Sequence, residues 1–242
     1  MDDVWAAQVP RIRRSLRSYF NDFREARRVQ NGLLAPAEKK VLLWLAARMP
    51  ATVNSDHLTV IGVLGMLACG VAYAYERWYR WALLLAIVGL AVNWFGDSLD
   101  GTLARARNRQ RPRYGFYVDH VADALCICFL FGGLGLSGLM NWPVAIGLTL
   151  AYLLLMIEAA LATYTMGTFR ISFFAFSPTE LRILLAIGNL AILARGPFSH
   201  MRGHTWLLFD VGGVIGMAGM MGVFLLSAVK NGLQLYREER LD

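Results

Sequence analysis

Asp97-Ser98-Leu99-Asp100-Gly101-Thr102-Leu103-Ala104-Arg105 closes one long apolar block, and Gly115-Phe116-Tyr117-Val118-Asp119-His120-Val121-Ala122-Asp123 opens the next. Asp97, Asp100, Gly101 and Ala104 stand at i, i+3, i+4 and i+7. Gly115, Asp119 and Asp123 stand at i, i+4 and i+8. Each set therefore falls on one face of an α-helix. The loop between them is short and carries Arg107, Arg109, Arg111 and Arg113. A short connection predicts two antiparallel neighbouring helices, and four carboxylates then converge near one boundary of an apolar layer.

Working outward, six blocks can each cross a bilayer, which takes about 20 mostly apolar residues. They run over 58–76, 81–104, 116–138, 142–166, 180–198 and 205–229. The fifth is the least apolar at its start, where Glu180 and Arg182 intrude. Apolar residues make up 57% of the 242 and charged ones 17%. An ordinary soluble domain has about 45–50% and 25%. The expected fold is an all-α polytopic membrane protein of six transmembrane helices.

Residues 1–57 form a basic N-terminal segment ahead of a six-helix catalytic domain over 58–242. The segment has no apolar stretch of the kind a signal peptide needs, so none is expected. Within it, Pro36 opens and Pro50 closes a short helix. Val41, Leu42, Leu45 and Met49 share a face with Trp44 at its margin, while Lys39, Lys40 and Arg48 lie to the other side. Too short to span, this amphipathic helix is expected to lie flat at the interface.

Lys and Arg are distributed very unevenly. If both termini lie on one side, that side holds twenty of them and the other holds four: Arg77, Arg80, Arg195 and Arg202. The positive-inside tendency then places both termini, and the 105–113 loop beside the aspartates, in the cytoplasm. The net charge of +7 comes largely from arginines beside apolar spans. That suits anionic lipid or a phosphate-bearing substrate, and no nucleic-acid partner is expected. Cys69, Cys126 and Cys128 all lie in apolar blocks. Cys126 and Cys128 are two apart and face different ways on a helix, so neither a metal clamp nor a disulfide framework is expected.

Ionisable groups inside a span are costly and are usually functional. Four clustered carboxylates repel one another unless protons or cations intervene. Oxygen-only donors select hard cations, which makes one or two Mg²⁺ or Mn²⁺ ions the expected cofactor. Gly101, Ala104 and Gly115 are small on the same faces and leave room for a nucleotide. Arg105 offers positive charge to a phosphate.

Asp-x-x-Asp-Gly-x-x-Ala-Arg followed by Gly-x-x-x-Asp-x-x-x-Asp resembles the signature of the CDP-alcohol phosphotransferase (CDP-alcohol phosphatidyltransferase) family. All eight fixed positions match: Asp97, Asp100, Gly101, Ala104, Arg105, Gly115, Asp119 and Asp123. The six-span layout with its interfacial N-terminal helix is also similar to members of that family. The resemblance implies that an alcohol attacks a CDP-linked donor, a substituted phosphate moves, and CMP leaves. It implies Asp97, Asp100 and Asp119 as metal ligands, and Asp123 as a ligand that also serves as general base. Gly101, Ala104, Arg105 and Gly115 would meet the CDP part. Asn54 and Thr59, before the first span, resemble the family's Pro-Asn-x-Leu-Thr entry and would sit on the cytidine side, although Pro does not directly precede Asn54 here. His120, next to Asp119, is a further catalytic candidate, since some members using CDP-choline or CDP-ethanolamine have Asp-His there.

Arg170, Glu180 and Arg182 lie on the same side as the aspartates and are candidates for an acceptor pocket. Glu158 is a further polar residue in apolar surroundings. In the last span Gly212, Gly213, Gly216, Gly219 and Gly222 form a small-residue stripe that suits packing within the bundle or a homodimer. Trp81, Trp94, Trp142 and Trp206 suit an interfacial belt. The leading expectation is phospholipid synthesis from a CDP-linked lipid, CDP-diacylglycerol, and a small alcohol. The alternative is transfer of a choline or ethanolamine head group to a diacyl lipid alcohol. A transporter or ion pathway is the rival of another class, but no internal pseudo-symmetry supports it.

Overall fold

The computed structural model describes residues 35–166, 178–201 and 204–240. Seven helices are formed among them: α1 (Ala35–Arg48), α2 (Ser55–Tyr75), α3 (Ala82–Ala106), α4 (Pro112–Ser137), α5 (Trp142–Met166), α6 (Pro178–Arg195) and α7 (Leu208–Glu238). Between α6 and α7 the strands β1 (Phe198–Met201) and β2 (His204–Leu207) pair as an antiparallel hairpin, with Phe198 opposite Leu207. The N-terminal arginines and Arg170 lie outside the described residues.

Among the described residues, five helices are long and apolar enough to cross a membrane: α2, α3, α4, α5 and α7. Their number and length make the chain an integral, multi-pass membrane protein. The expected fifth span is also helical, as α6. It has only 18 residues and holds Glu180, Arg182 and Arg195, so its composition does not mark it as a span. The expected last span begins three residues late, because the hairpin takes up 204–207, and its helix then runs on to Glu238.

α2 is the central element and packs closely on both α3 and α4. α6 lies against α3, α5 against α4, and α7 against α5. The approach of α2 to α3 requires glycine. A Cβ on Gly96 would meet the backbone of Leu58 and Gly62, and one on Gly89 would meet Cys69 and the Gly65 carbonyl. The approach of α2 to α4 has the same cause, since a Cβ on Gly70 would strike the Phe129 carbonyl and one on Gly133 the Gly70 carbonyl. Small residues are how membrane helices bring backbones together. Around these crossings Met66, Cys69, Tyr73, Leu83, Ala86, Leu90, Ile127, Leu130 and Leu134 form the main buried core.

α3 and α4 meet through side chains, with Asn93 Nδ2 donating to Cys126 Sγ at 3.7 Å. They are consecutive in sequence, but each leans on α2 and they make at most marginal backbone contact with one another. α4 meets α2 at Gly133, ten residues past Asp123, which is roughly 15 Å along the helix. Beyond Gly115 lies open space.

α1 docks on α3 rather than lying detached. Leu42 and Ala46 are buried with Leu58, Leu99 and Leu103, and Leu45 and Met49 pack on them. Val41, grouped above with the inward face, is exposed together with Leu43 and Trp44. At the other end of the bundle, Gly138 ends α4 with φ +81°, a left-handed conformation that glycine adopts without steric cost. Of the α7 stripe, Gly213 faces Val144 and Leu148 of α5, while Gly212, Gly219 and Gly222 face open space. Trp81, Trp142 and Trp206 are exposed as a belt requires, whereas Trp94 turns inward.

Gly96→Val is expected to lower the melting temperature in detergent sharply, at an overpacking cost of about 3 kcal/mol. The atoms it would strike are backbone and cannot rotate away. Gly232→Val, at an exposed position outside the α7 stripe where a Cβ meets nothing, should leave the melt unchanged.

Candidate active site

The first turn of α2 holds one end of the site. Asn54 caps the helix in an extended conformation, and its N–H donates to His57 Nδ1 at 3.2 Å. One turn on, Thr59 Oγ1 donates to Asp100 Oδ2 at 2.6 Å, and Ser55 Oγ donates to the Asp100 backbone carbonyl at 2.7 Å. The Gly101 N–H reaches the other carboxylate oxygen. Asp100 is buried, and these bonds orient it. Thr59, expected beside cytidine, thus bears on a carboxylate.

Asp97 lies one turn earlier on α3. Its Oδ2 accepts from Arg182 Nη2 at 2.7 Å, and Arg182 Nε donates to Asn93 Oδ1 at 2.8 Å. Asn93 is buried and fixed in turn, because its amide donates to the Gly62 carbonyl at 3.0 Å. The guanidinium therefore bridges one turn of α3, with 12% of the Arg182 side chain exposed against 39% for Asp97. A charge so placed in an apolar layer needs a partner of opposite sign.

Asp119 and Asp123 are half-buried on α4. The charges of Asp119 and Asp97 both act on Asp100, and those of Asp123, Asp97 and Arg182 all act on Cys126 and Tyr152. The four carboxylates thus share one region. Among the described residues no three His, Cys, Asp or Glu side chains are close enough together to hold one ion. The donor set still fits a hard divalent cation, being all oxygen, concentrated in charge, and open at Gly115 where a Cβ would meet nothing.

Beside this region lies a cavity of about 340 Å³ lined by Asn54, Ser55, Asp56, Ala104, Arg109 and Arg111 among others. Of the motif residues, Ala104 reaches it, and Arg105 Nη2 donates to Thr102 Oγ1 at 3.2 Å. The loop arginines divide. Arg107 donates to the carbonyls of Val53 (2.5 Å), Met49 (2.8 Å) and Pro50 (2.9 Å), which ties the α1–α2 linker to the end of α3. Arg111 pairs with Asp56, with both side chains about half exposed.

His120 points elsewhere. Its Nδ1 bonds the Phe116 carbonyl at 2.8 Å, and its ring packs on Phe116 with centroids 4.1 Å apart. It lines an apolar groove of about 510 Å³ between α4 and α5, with Tyr117, Val121, Leu125, Cys128 and Leu153. Glu180 is half-buried in the first turn of α6. Sequence reasoning missed Asn93, Ser55 and Glu38. Asn93 was the most accessible of these, as an amide one turn before Asp97 in an otherwise apolar run.

Residues 53–225 match the CDP-alcohol phosphatidyltransferase family, and the chain belongs to that family. Over 92 residues it is 36% identical to archaetidylinositol phosphate synthase of Pyrococcus horikoshii. That match takes in 38% of this chain and a little under half, 46%, of the relative. The family generally uses divalent metals.

Arg107→Ala is expected to open the α1–α2 linker, seen as faster proteolytic cutting between residues 49 and 54. Arg109→Ala should leave the cutting rate as it is, because Arg109 lines the cavity without those three bonds.

Proposed function

We propose that the chain transfers a lipid-substituted phosphate from a CDP-linked lipid, of the CDP-diacylglycerol type, to a small phosphate-bearing alcohol, releasing CMP. The observation that carries this reading is the pair of aspartate sets on α3 and α4, with an arginine-lined cavity on one side and Arg182 on the other. The apolar groove beside His120 supports a lipid as one substrate, since hydrocarbon chains are at home there. The relative supports the acceptor, because its name is that of a lipid inositol phosphate synthase. Head-group transfer from CDP-choline or CDP-ethanolamine is the alternative that the experiment below separates.

In this reading Asp97, Asp100, Asp119 and Asp123 hold Mg²⁺ or Mn²⁺, one or two ions. When bound, the metal neutralises the diphosphate and stabilises the departing CMP. Asn54, Gly101, Ala104, Arg105 and Gly115 receive the CDP part. Thr59 acts by orienting Asp100. Asp123 takes the proton from the acceptor hydroxyl. The freed oxygen forms a bond to the donor's lipid-bearing phosphorus. The bond from that phosphorus to CMP breaks, and CMP leaves with the electron pair. Arg182, with Arg170, attracts the acceptor's phosphate, and Glu180 completes the acceptor pocket. Because Asp97 already engages Arg182, one guanidinium edge is directed and the charge lies next to the attacking alcohol. His120 supports the lipid groove rather than a proton.

The uneven spread of Lys and Arg supports a site and both termini in the cytoplasm, with α6 as the sixth crossing. The exposed α7 glycines support a homodimer.

Purified protein with Mg²⁺ or Mn²⁺ and a panel of CDP donors and alcohols should release CMP with CDP-diacylglycerol and an alcohol phosphate. Release only with CDP-choline or CDP-ethanolamine points to the alternative, and release with no pair removes the enzyme reading. Asp123→Asn should lower kcat by about 10²–10⁴-fold. Chelation should abolish turnover, and added Mn²⁺ restore it.

A further inference from the structure

Glu38 belongs to α1, outside the aspartate motif, yet one of its oxygens ties three helices together. Oε1 accepts from Trp94 Nε1 at 2.8 Å and from Ser98 Oγ at 3.3 Å, both on α3. It also accepts from Thr179 Oγ1 at 2.8 Å, on α6. Trp94 and Ser98 bracket Asp97 along α3, and Thr179 lies one turn before Arg182 on α6. The knot therefore sits at the level of the Arg182–Asp97 pair.

The far end of α6 is held separately. Arg80 Nη2 donates to the Ile192 carbonyl at 2.5 Å, and Tyr73 and Asn189 exchange hydrogen bonds within the core. A helix pinned at that end still needs a hold near its start to fix where Arg182 falls, and Glu38 supplies one. Hydrogen bonds to a carboxylate are strong, and this half-buried network restrains the three helices it joins. α1 also presents Val41, Leu43 and Trp44 outward, as a helix resting at a membrane surface does. The seat of α1 is thereby coupled to the position of Arg182.

We propose that Glu38 is a positioning residue that sets Arg182 against Asp97 and so tunes acceptor binding. The proposal rests on the reading above in which Arg182 meets the acceptor. Glu38→Ala should raise the acceptor KM about tenfold with little change in donor KM or melting temperature. Glu38→Gln, which keeps the accepting Oε1, should hold the KM near its original value. Thr179→Val, which removes only the α6 donor, should reproduce Glu38→Ala and serves if that variant folds poorly. In Glu38→Ala/Arg182→Ala the KM should equal that of Arg182→Ala alone.

A structural readout separates this proposal from the reading it rests on. Spin labels at Val41→Cys and Ile183→Cys, both exposed positions, report the α1–α6 distance in full-length protein with Cys128→Ser. The distribution should be narrow when Glu38 is intact and in Glu38→Gln, and broad in Glu38→Ala. An Arg182→Ala variant with unchanged acceptor KM removes the acceptor role of Arg182, while the label distances still judge Glu38. A narrow distribution in Glu38→Ala, or effects that multiply in the double variant, overturns the positioning role.

Discussion

Backbone contact at glycines fixes where the two aspartate pairs stand. Gly62 and Gly96 let α2 and α3 touch immediately beside Asp97, and Gly70 and Gly133 let α2 and α4 touch well past Asp123. α3 is thus held to α2 at the level of the site, and α4 is held further off. Asn93 of α3 still reaches Cys126 Sγ of α4 at 3.7 Å, beside the carboxylates. A Cβ at any of these four glycines would meet main-chain atoms, so side-chain rotation could not accommodate it. In a lipid layer no hydrophobic drive favours one helix pair over another, so close packing decides which helices meet.

Polar groups in the apolar layer follow a consistent rule of partnership. Asp210 accepts from the Asn141 N–H at 2.8 Å and joins the start of α7 to the α4–α5 turn. Glu158 accepts from Asn231 Nδ2 at 2.7 Å and joins α5 to α7. These are fastenings between neighbouring helices. Asp97 and Asp100 are also partnered, but in a way that leaves their charges directed at the same region as Asp119 and Asp123. Among the described residues no buried side-chain polar atom lacks a hydrogen bond. The concentration of charge, not any unmet bond, distinguishes the site.

The arginines show how one composition serves several ends. By count they are a topological signal, and the 105–113 loop carries five of them. In the folded chain Arg107 closes a linker, Arg111 pairs with Asp56, and Arg182 crosses from α6 to α3. Charge counting could not separate these uses, because every arginine contributes equally to the count.

The sequence by itself determined the helical membrane architecture, the family, and the four aspartates with their faces. Those are local properties: apolar block length, a 3.6-residue period, and fixed spacings within single helices. It also marked Arg182 as a polar residue on the right side. Only the tertiary structure decided that α3 and α4 each lean on α2, that Thr59 serves Asp100, that His120 lines an apolar groove, and that Arg182 bridges Asn93 and Asp97. It likewise revealed Glu38, whose partners lie 56, 60 and 141 residues away. Such contacts depend on how helices rotate and cross. That is set by which small residues meet across an interface, and no spacing along one helix records it.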